Sequence, residues 1–338
     1  MSGRMEETLR DLQLAMAAHR KALAEAPASP SDAAAAVALP VAADRRQRVM
    51  QRLARDIERV SGIEITGTME AKLGRVLSSV DLVELDGWVS RLHQLPGDDA
   101  EWLSLIESLT VHETFFHRDR SQLELLELIL SETIAEAARD GRHSLRLWSA
   151  GCSTGEEAYT LAILALLALR DAGFADQAAD GGIICRQPWR VDVLGSDISR
   201  LVLAQAKAAV YPTEGLSAFR DLPDRLQRCF PVLPKTDEAG ATERRGVLPS
   251  VRRHVRFRQF NLLADAPPEI DFDVVLCRNV LIYMIGPART AVQSVVKQAL
   301  RPGGHLLLGP TDALPDPAAY EVRWGASAVA YTLKPGDG

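Results

Sequence analysis

Cysteine is scarce and scattered. The four thiols, Cys152, Cys185, Cys229 and Cys277, show neither metal-ligand pair spacing nor a disulfide framework. Reduced thiols of a cytoplasmic protein are the simplest expectation. Long apolar runs are missing too. The longest, around Leu161–Leu169, is too short to span a bilayer and follows a polar helix start. The N-terminus has no signal-peptide core, so no membrane insertion is expected. An excess of positive charge is absent: the formal net charge is −6, which argues against broad nucleic-acid binding. Also lacking are the G-x-G-x-x-G of dinucleotide folds and the Gly-Lys-Ser/Thr of a phosphate-binding loop. No metal site is expected, and no Ser-His-Asp or Cys-His arrangement stands out.

What is present is an ordinary globular composition, 47% hydrophobic and 25% charged over 338 residues, which suits about two domains. One stretch organises the chain: Leu145-Arg-Leu-Trp-Ser-Ala-Gly-Cys-Ser-Thr-Gly-Glu-Glu-Ala-Tyr159. Its apolar start reads as a buried parallel strand. Gly151 and Gly155 then punctuate a tight loop, and Glu156 opens an apolar helix with acids in its first turn, as the helix dipole favours. Strand, glycine loop and helix open a nucleotide-type α/β unit. The loop has no lysine to meet a phosphate, and Glu156 and Glu157 would repel one. A cationic or ribose-bearing ligand fits better, and S-adenosylmethionine, a sulfonium without phosphate, is both. An ordinary strand–turn–helix with a polar helix start is the alternative.

Residues 1–26 read as a helix, with Leu9, Leu12, Met16 and Leu23 at helical spacing. An Ala/Pro/Ser stretch over 27–43 reads as a flexible linker. From 44 to 110 only helical patterns follow, at Arg45–Val60, Met69–Val80, Leu82–Leu95 and Ala100–Leu109, so an all-α N-terminal domain is expected. Arg48, Arg52, Arg55 and Arg59 share one face of the first helix, either solvated or docking an acidic partner. In Leu109-Thr-Val-His-Glu-Thr-Phe-Phe-His-Arg-Asp119 the aromatics read, on their own, as core, with Arg118 paired to Asp119 or a neighbour.

Past the Glu157 helix, Asp171–Pro188 reads as a loose loop. A second strand ends at Asp197, where an acid holds ribose hydroxyls in such folds or caps the next helix, Ser199–Val210. Tyr211–Gly246 breaks the rhythm as an insertion, closed by a strand at Val255–Phe260, so that the insertion spans about 211–260. Asp271–Cys277 is a buried strand stopping at Arg278-Asn279, groups that sit at the ligand crevice. A helix at Thr290–Leu300, a turn at Arg301–Gly304, a strand at His305–Leu308 and a final antiparallel pair over Tyr320–Leu333 complete the pattern.

Assembled, these residues make the chain resemble the CheR-type chemotaxis receptor methyltransferases, over about Arg45 to Lys334. The resemblance rests on the His-Glu-Thr-x-Phe-x-Arg stretch, Ser149-Ala-Gly-Cys-Ser-Thr-Gly-Glu-Glu157, Gly195-Ser-Asp197, Phe260-Asn-Leu262 and Cys277-Arg-Asn-Val-Leu-Ile-Tyr283. It implies an α/β fold: a Rossmann-like S-adenosylmethionine-dependent methyltransferase domain over 111–338 with a small inserted β-subdomain, preceded by the all-α domain. It implies protein-glutamate O-methyltransferase activity on the cytoplasmic domains of chemoreceptors. By the resemblance, His112, Thr114, Arg118, Glu157, Asp197, Asn261, Leu262, Arg278 and Asn279 contact S-adenosylmethionine, and Arg118 and Tyr283 serve the transfer. That displaces the core reading of the 109–119 stretch. A monomer is expected.

The chain departs from the family at three places. His112 stands where Asn is frequent, His117 replaces the second Phe of Phe-Phe-Arg, and Gly309-Pro-Thr-Asp312 replaces a pattern with Ser and Glu. The second helix offers only Lys72 and Arg75, a thinner basic cluster than the family's. The acceptor glutamate is already ionised at neutral pH, having a pKa of about 4.3, so the absence of a catalytic base is consistent. Two rivals remain: a non-enzymatic regulator, or a methyltransferase acting on a non-chemotaxis signalling protein. A nucleic-acid amino-methyltransferase would carry Asn/Asp-Pro-Pro-aromatic where Cys277-Arg-Asn-Val stands.

Overall fold

A computed structural model describes residues 35–336 except 111–112, 215–216, 235–241 and 265. The chain divides into two compact units, one ending at Val111 and the other starting at His112. The expected leading helix over 1–26, the first part of the expected linker and the expected ligand residue His112 lie outside the described residues.

Among the described residues, the named elements of the first unit are all helices. α1 spans Ala35–Ser61, α2 Gly67–Leu77, α3 Leu82–Gln94 and α4 Ala100–Leu109. α1 therefore takes in residues 35–43, expected as linker. Apolar residues at helical spacing bring Leu53, Ile57, Leu77, Leu85, Trp88, Trp102 and Ile106 into one core. The helix ends are satisfied locally. Asp81 and Asp99 accept from the first N–H groups of α3 and α4. Arg46 binds the carbonyls of Leu77 and Val80 past the end of α2. The arginine face of α1 is largely spoken for within the unit: Arg52 reaches Asp86 at 2.8 Å, Arg59 reaches Asp56 at 3.3 Å and Arg48 pairs with Asp44.

The second unit opens with α5 (Arg120–Arg139), β1 (Ser144–Ala150) and α6 (Glu156–Asp171). The expected loose loop holds a small antiparallel pair, β2 (Ala175–Gln177) with β3 (Ile183–Cys185). β4 (Arg190–Asp197) and α7 (Arg200–Ala208) follow. α7 stops two residues short of the expected end because Ala209 turns left-handed and Val210 begins β5. β5 (Val210–Pro212) pairs with β6 (Arg244–Gly246) as the inserted piece. The insertion ends there, short of 260, since β7 (Val255–Gln259) joins the main sheet. β8 (Phe272–Cys277), α8 (Gly286–Ala299), β9 (Leu300–Leu308), β10 (Tyr320–Trp324) and β11 (Val329–Leu333) complete the unit. α8 starts four residues earlier than expected. β9 absorbs the expected Arg-Pro-Gly-Gly turn as an irregularity, its register with β8 shifting between Phe272 and Val274.

The main sheet runs β10-β11-β9-β8-β1-β4-β7. From β9 to β7 all neighbours are parallel, and β11 and β10 close the other side antiparallel. Both faces are covered, so β8 is buried along its whole length. Leu145, Leu147, Val274 and Leu276 pack with α5 and α6 on one face, and Trp148, Ala150, Phe272 and Val275 with α8 on the other. The register sets the site. Ala150 lies beside Ser196, Ser149 beside Leu276, Gln259 beside Asp197 and Cys277 beside Leu308. The carboxyl ends of all five parallel strands thus form one row, where α/β folds bind ligands.

Candidate functional site

The loop after β1 is drawn tightly over that row. Gly151 and Cys152 both donate their N–H to the Ser196 carbonyl of β4, at 2.8 and 2.9 Å. Gly151 has φ +79° and a Cβ there would sit 2.6 Å from Val280 Cγ2, so only glycine fits. Asp197 ties the next turn in place: one carboxylate oxygen accepts the Ser153 N–H at 2.9 Å and the other the Ser199 N–H at 3.0 Å. The capping role offered as an alternative for Asp197 falls to Ser199, which accepts from Val202 N–H at the start of α7. Asp197 instead joins the β1 and β4 loops.

A buried polar knot lies beside this loop. Ser149 Oγ donates to Glu157 Oε1 at 2.7 Å, and Arg278 Nη1 reaches Glu157 Oε2 at 3.1 Å. The other arm of Arg278 binds the Arg118 carbonyl at 2.7 Å and Asp119 Oδ2 at 2.8 Å. Burial raises the Glu157 carboxyl above its ordinary pKa, opposed by the Arg278 charge and the Ser149 hydrogen bond. Its neighbour Glu156 is buried too and accepts the Thr154 hydroxyl hydrogen bond at 2.6 Å, and burial pushes its pKa up to about 7. The thiols of Cys152 and Cys277 are buried and raised well above the ordinary range, so they stay neutral and unreactive.

Of the partners expected for Arg118, Asp119 or a neighbour, Asp119 is ruled out because Arg278 takes that carboxylate. The Arg118 guanidinium instead donates to the Glu113 carbonyl at 2.9 Å and lies 5.7 Å from the Phe115 ring centre. Arg220, from the insertion, stacks on Phe115 at 3.7 Å and binds Glu113 at 3.0 Å. One ring thus meets two guanidinium groups from different segments. Thr114 lies on this segment, which the Phe116 N–H pins to the Ala218 carbonyl at 2.8 Å.

The far side of the row is built on Asp312. Its carboxylate accepts the N–H groups of Asn279, Ile282 at 2.9 Å and Gly309 at 3.1 Å. This holds Asn279 in a left-handed conformation at φ +56°. Tyr283 follows on a short 3-10 turn over Leu281–Tyr283 and is 48% exposed. Asn261 sits where the Phe260 N–H meets the Asp197 carbonyl, and its own side chain accepts from Leu263.

The structure therefore gathers Glu157, Arg278 and the backbone of Arg118 into one contact network, with Asp197, Asn261 and Asn279 on the same row of strand ends. The Leu262 side chain is not presented there: it is buried with Leu194 and Phe272 against α8. Asp312, Ser149, Asp119 and Arg220 were not singled out as site residues. Asp312 alone had a signal, being the acid of Gly309-Pro-Thr-Asp just past the end of β9.

The residues fit a cationic nucleoside without phosphate. The Asp197 carboxylate binds the glycine loop at the Ser153 N–H, and Ser153 Oγ is buried without a hydrogen-bond partner, which leaves a polar atom for a ligand to satisfy. Among the described residues no cluster suits a metal ion, and no helix is long and apolar enough to cross a membrane.

Residues 112–327 match the family model described as CheR methyltransferase, SAM binding domain. The chain is 29% identical over 284 residues to chemotaxis protein methyltransferase 1 of Pseudomonas aeruginosa, covering 82% of this chain and 95% of that protein. It is 35% identical over 266 residues to the probable biofilm formation methyltransferase WspC of Pseudomonas putida, covering 78% of this chain and 54% of that one. A solved TehB-like SAM-dependent methyltransferase from Corynebacterium glutamicum aligns over 62% of this chain and 97% of its own at 12% identity, with a TM-score of 0.31.

Proposed function

Because the chain belongs to the CheR methyltransferase family and carries its S-adenosylmethionine-binding domain, we propose that it methylates glutamate side chains of chemoreceptors, a protein-glutamate O-methyltransferase. The observation that carries this is the state of Arg118. Among the described residues its guanidinium forms no salt bridge, yet its backbone is bolted to the buried Arg278–Glu157 pair. A planar cation held in place with no carboxylate in salt-bridge contact is suited to gripping one.

Glu157, Asp197, Asn261, Arg278 and Asn279 would hold the cofactor at the row of strand ends, with Thr114 and the backbone of Leu262. His112 is assigned the same role by its place in the motif. When bound, S-adenosylmethionine supplies an electrophilic methyl group on a positively charged sulfur. Arg118 orients a carboxylate, and half-exposed Tyr283 positions the incoming glutamate. No residue needs to remove a proton, since the acceptor is already a carboxylate. The chain contributes alignment and exclusion of water, and good alignment supplies roughly 7–11 kcal/mol.

The 35% identity to a probable biofilm formation methyltransferase favours a second reading, in which the acceptor glutamates belong to a signalling receptor outside chemotaxis. Both are tested together. The protein is incubated with methyl-labelled cofactor and a panel of receptor cytoplasmic fragments. Label transferred and then released by mild alkali as methanol is expected. Cofactor binding by calorimetry with no alkali-labile label on any fragment would discard glutamate as the acceptor.

A further inference from the structure

β10 is an edge of the seven-stranded sheet. The hydrogen bonds around it fix which way its backbone faces. The Ala319 carbonyl accepts from Lys334 and the Gly325 N–H donates to Ala328, so residues of that parity, Glu321 and Arg323 included, turn their backbone groups to β11. Val322 and Trp324 turn theirs to the open side, with the carbonyl of Tyr320, whose N–H meets Pro317 at 2.9 Å. Val322 is 43% exposed and Trp324 76% exposed. An uncovered edge bearing Val and Trp is a template for another strand.

One protection of edge strands is charged side chains, Lys above all, and like charges set against each other repel a second copy. Here Glu321 and Arg323 have opposite signs and stand symmetrically about Val322. We propose that β10 pairs antiparallel with β10 of a second copy of this chain, about a two-fold axis at Val322, making one continuous fourteen-stranded sheet from the two seven-stranded ones. In this register Val322 faces its own copy, Trp324 faces Tyr320, and each Glu321 faces Arg323. The outward-facing residues form the hydrogen-bonded pairs, Tyr320 through its carbonyl alone. The two Glu–Arg pairs then fall at the non-hydrogen-bonded positions, where side chains approach most closely.

Neighbouring symmetric registers are disfavoured by the same charges: a shift one way sets Glu321 on Glu321, and the other way Arg323 on Arg323. Arg323 is already braced by Glu132 on α5, which orients its fork before the partner arrives. The seam is short against a standard interface of about 800 Å² per partner, so the dimer is weak and depends on concentration. The site is untouched, since β11 and β9 separate β10 from β8.

Sedimentation equilibrium of the full chain, taken to its highest soluble concentration, is expected to show reversible dimers. Val322→Pro removes an outward N–H, a change edge strands tolerate, and Glu321→Arg sets Arg against Arg323. Both are expected to be monomeric while keeping their far-UV spectrum and cofactor binding. Val322→Cys is expected to form a disulfide-linked dimer on mild oxidation, because hydrogen-bonded pairs hold Cα atoms about 5.5 Å apart. The exposed control Val83→Cys is expected to stay monomeric. A wild-type chain that is monomeric throughout, dimers unaffected by Glu321→Arg, or equal cross-linking of the two cysteine variants would overturn the proposal.

Discussion

Arg278 and Glu157 form a buried ion pair, 3.1 Å from Nη1 to Oε2, that joins the end of β8 to the first turn of α6. The same guanidinium holds the Arg118 carbonyl and Asp119, so one side chain clamps three segments. Removing one partner of such a pair leaves an uncompensated charge and costs about 3–5 kcal/mol. Arg278→Ala should therefore lower unfolding stability by that order in urea. Arg278→Met with Glu157→Gln should recover part of the loss, since the buried Glu157 charge is then removed along with its partner and only the partly exposed Asp119 is left unpaired. If the double variant is no more stable than Arg278→Ala, the pair does not act as a unit.

Asp312 organises the opposite rim through three backbone N–H groups. An N–H left buried without a partner costs about 1–3 kcal/mol. Asp312→Ala frees the turn that carries Asn279 and Tyr283, and roughly a tenfold loss of cofactor affinity is expected by calorimetry. Asp312→Asn keeps one acceptor oxygen and should fall between the two. Equal affinity of all three proteins would show that the turn keeps its shape without the carboxylate.

The α/β rhythm was legible in the sequence because it rests on strong local signals. The apolar strand before Gly151, the acids opening α6 and the run Phe272–Cys277 each carry their period on the surface of the text. Asp197 and Arg278 could be placed on the crevice because strand ends are where ligands bind. The exchange of partners was not legible. Arg118 and Asp119 are adjacent, and nothing local says that Arg278, about 160 positions on, will claim the aspartate. The same limit hid Asp273. In a strand that reads as apolar it accepts from Arg142 and Arg301 at 3.0 and 2.7 Å, a match visible only once the sheet is assembled. Asp312 stood out only as a departure from a family pattern, and its task is given by backbone donors that sequence does not display.

Arg118 and Arg220 flank Phe115 from opposite segments, and they should separate in kinetics. Arg118→Lys keeps the charge but loses the planar fork. A misplacement of about 1 Å costs on the order of 10²-fold in rate, so kcat should fall by about that factor with stability unchanged. Arg220→Ala removes a stacked cation beside the site without touching the Arg278 knot. Its effect should appear as a KM raised several-fold at near-constant kcat. Loss of kcat in Arg220→Ala with KM unchanged would contradict this division of labour.

Glu156 gives the protein a predictable response to pH. Its carboxyl is buried against the Thr154 hydroxyl, and burial raises its pKa from 4.5 to about 7. The native state therefore holds this proton over a range where the unfolded chain has lost it. Below pH 4.5 both states are protonated and there is no penalty. As pH rises from 4.5 to about 7 the unfolded state is progressively favoured, and above that window the full penalty of roughly 3 kcal/mol applies. Glu156→Gln keeps the hydrogen bond to Thr154 and removes the titration. Its stability relative to wild type, from urea unfolding without cofactor, should be near zero at the acid end and rise to a few kcal/mol in favour of glutamine at the alkaline end. A difference that stays flat across the window would mean that the native carboxyl titrates as an ordinary glutamate.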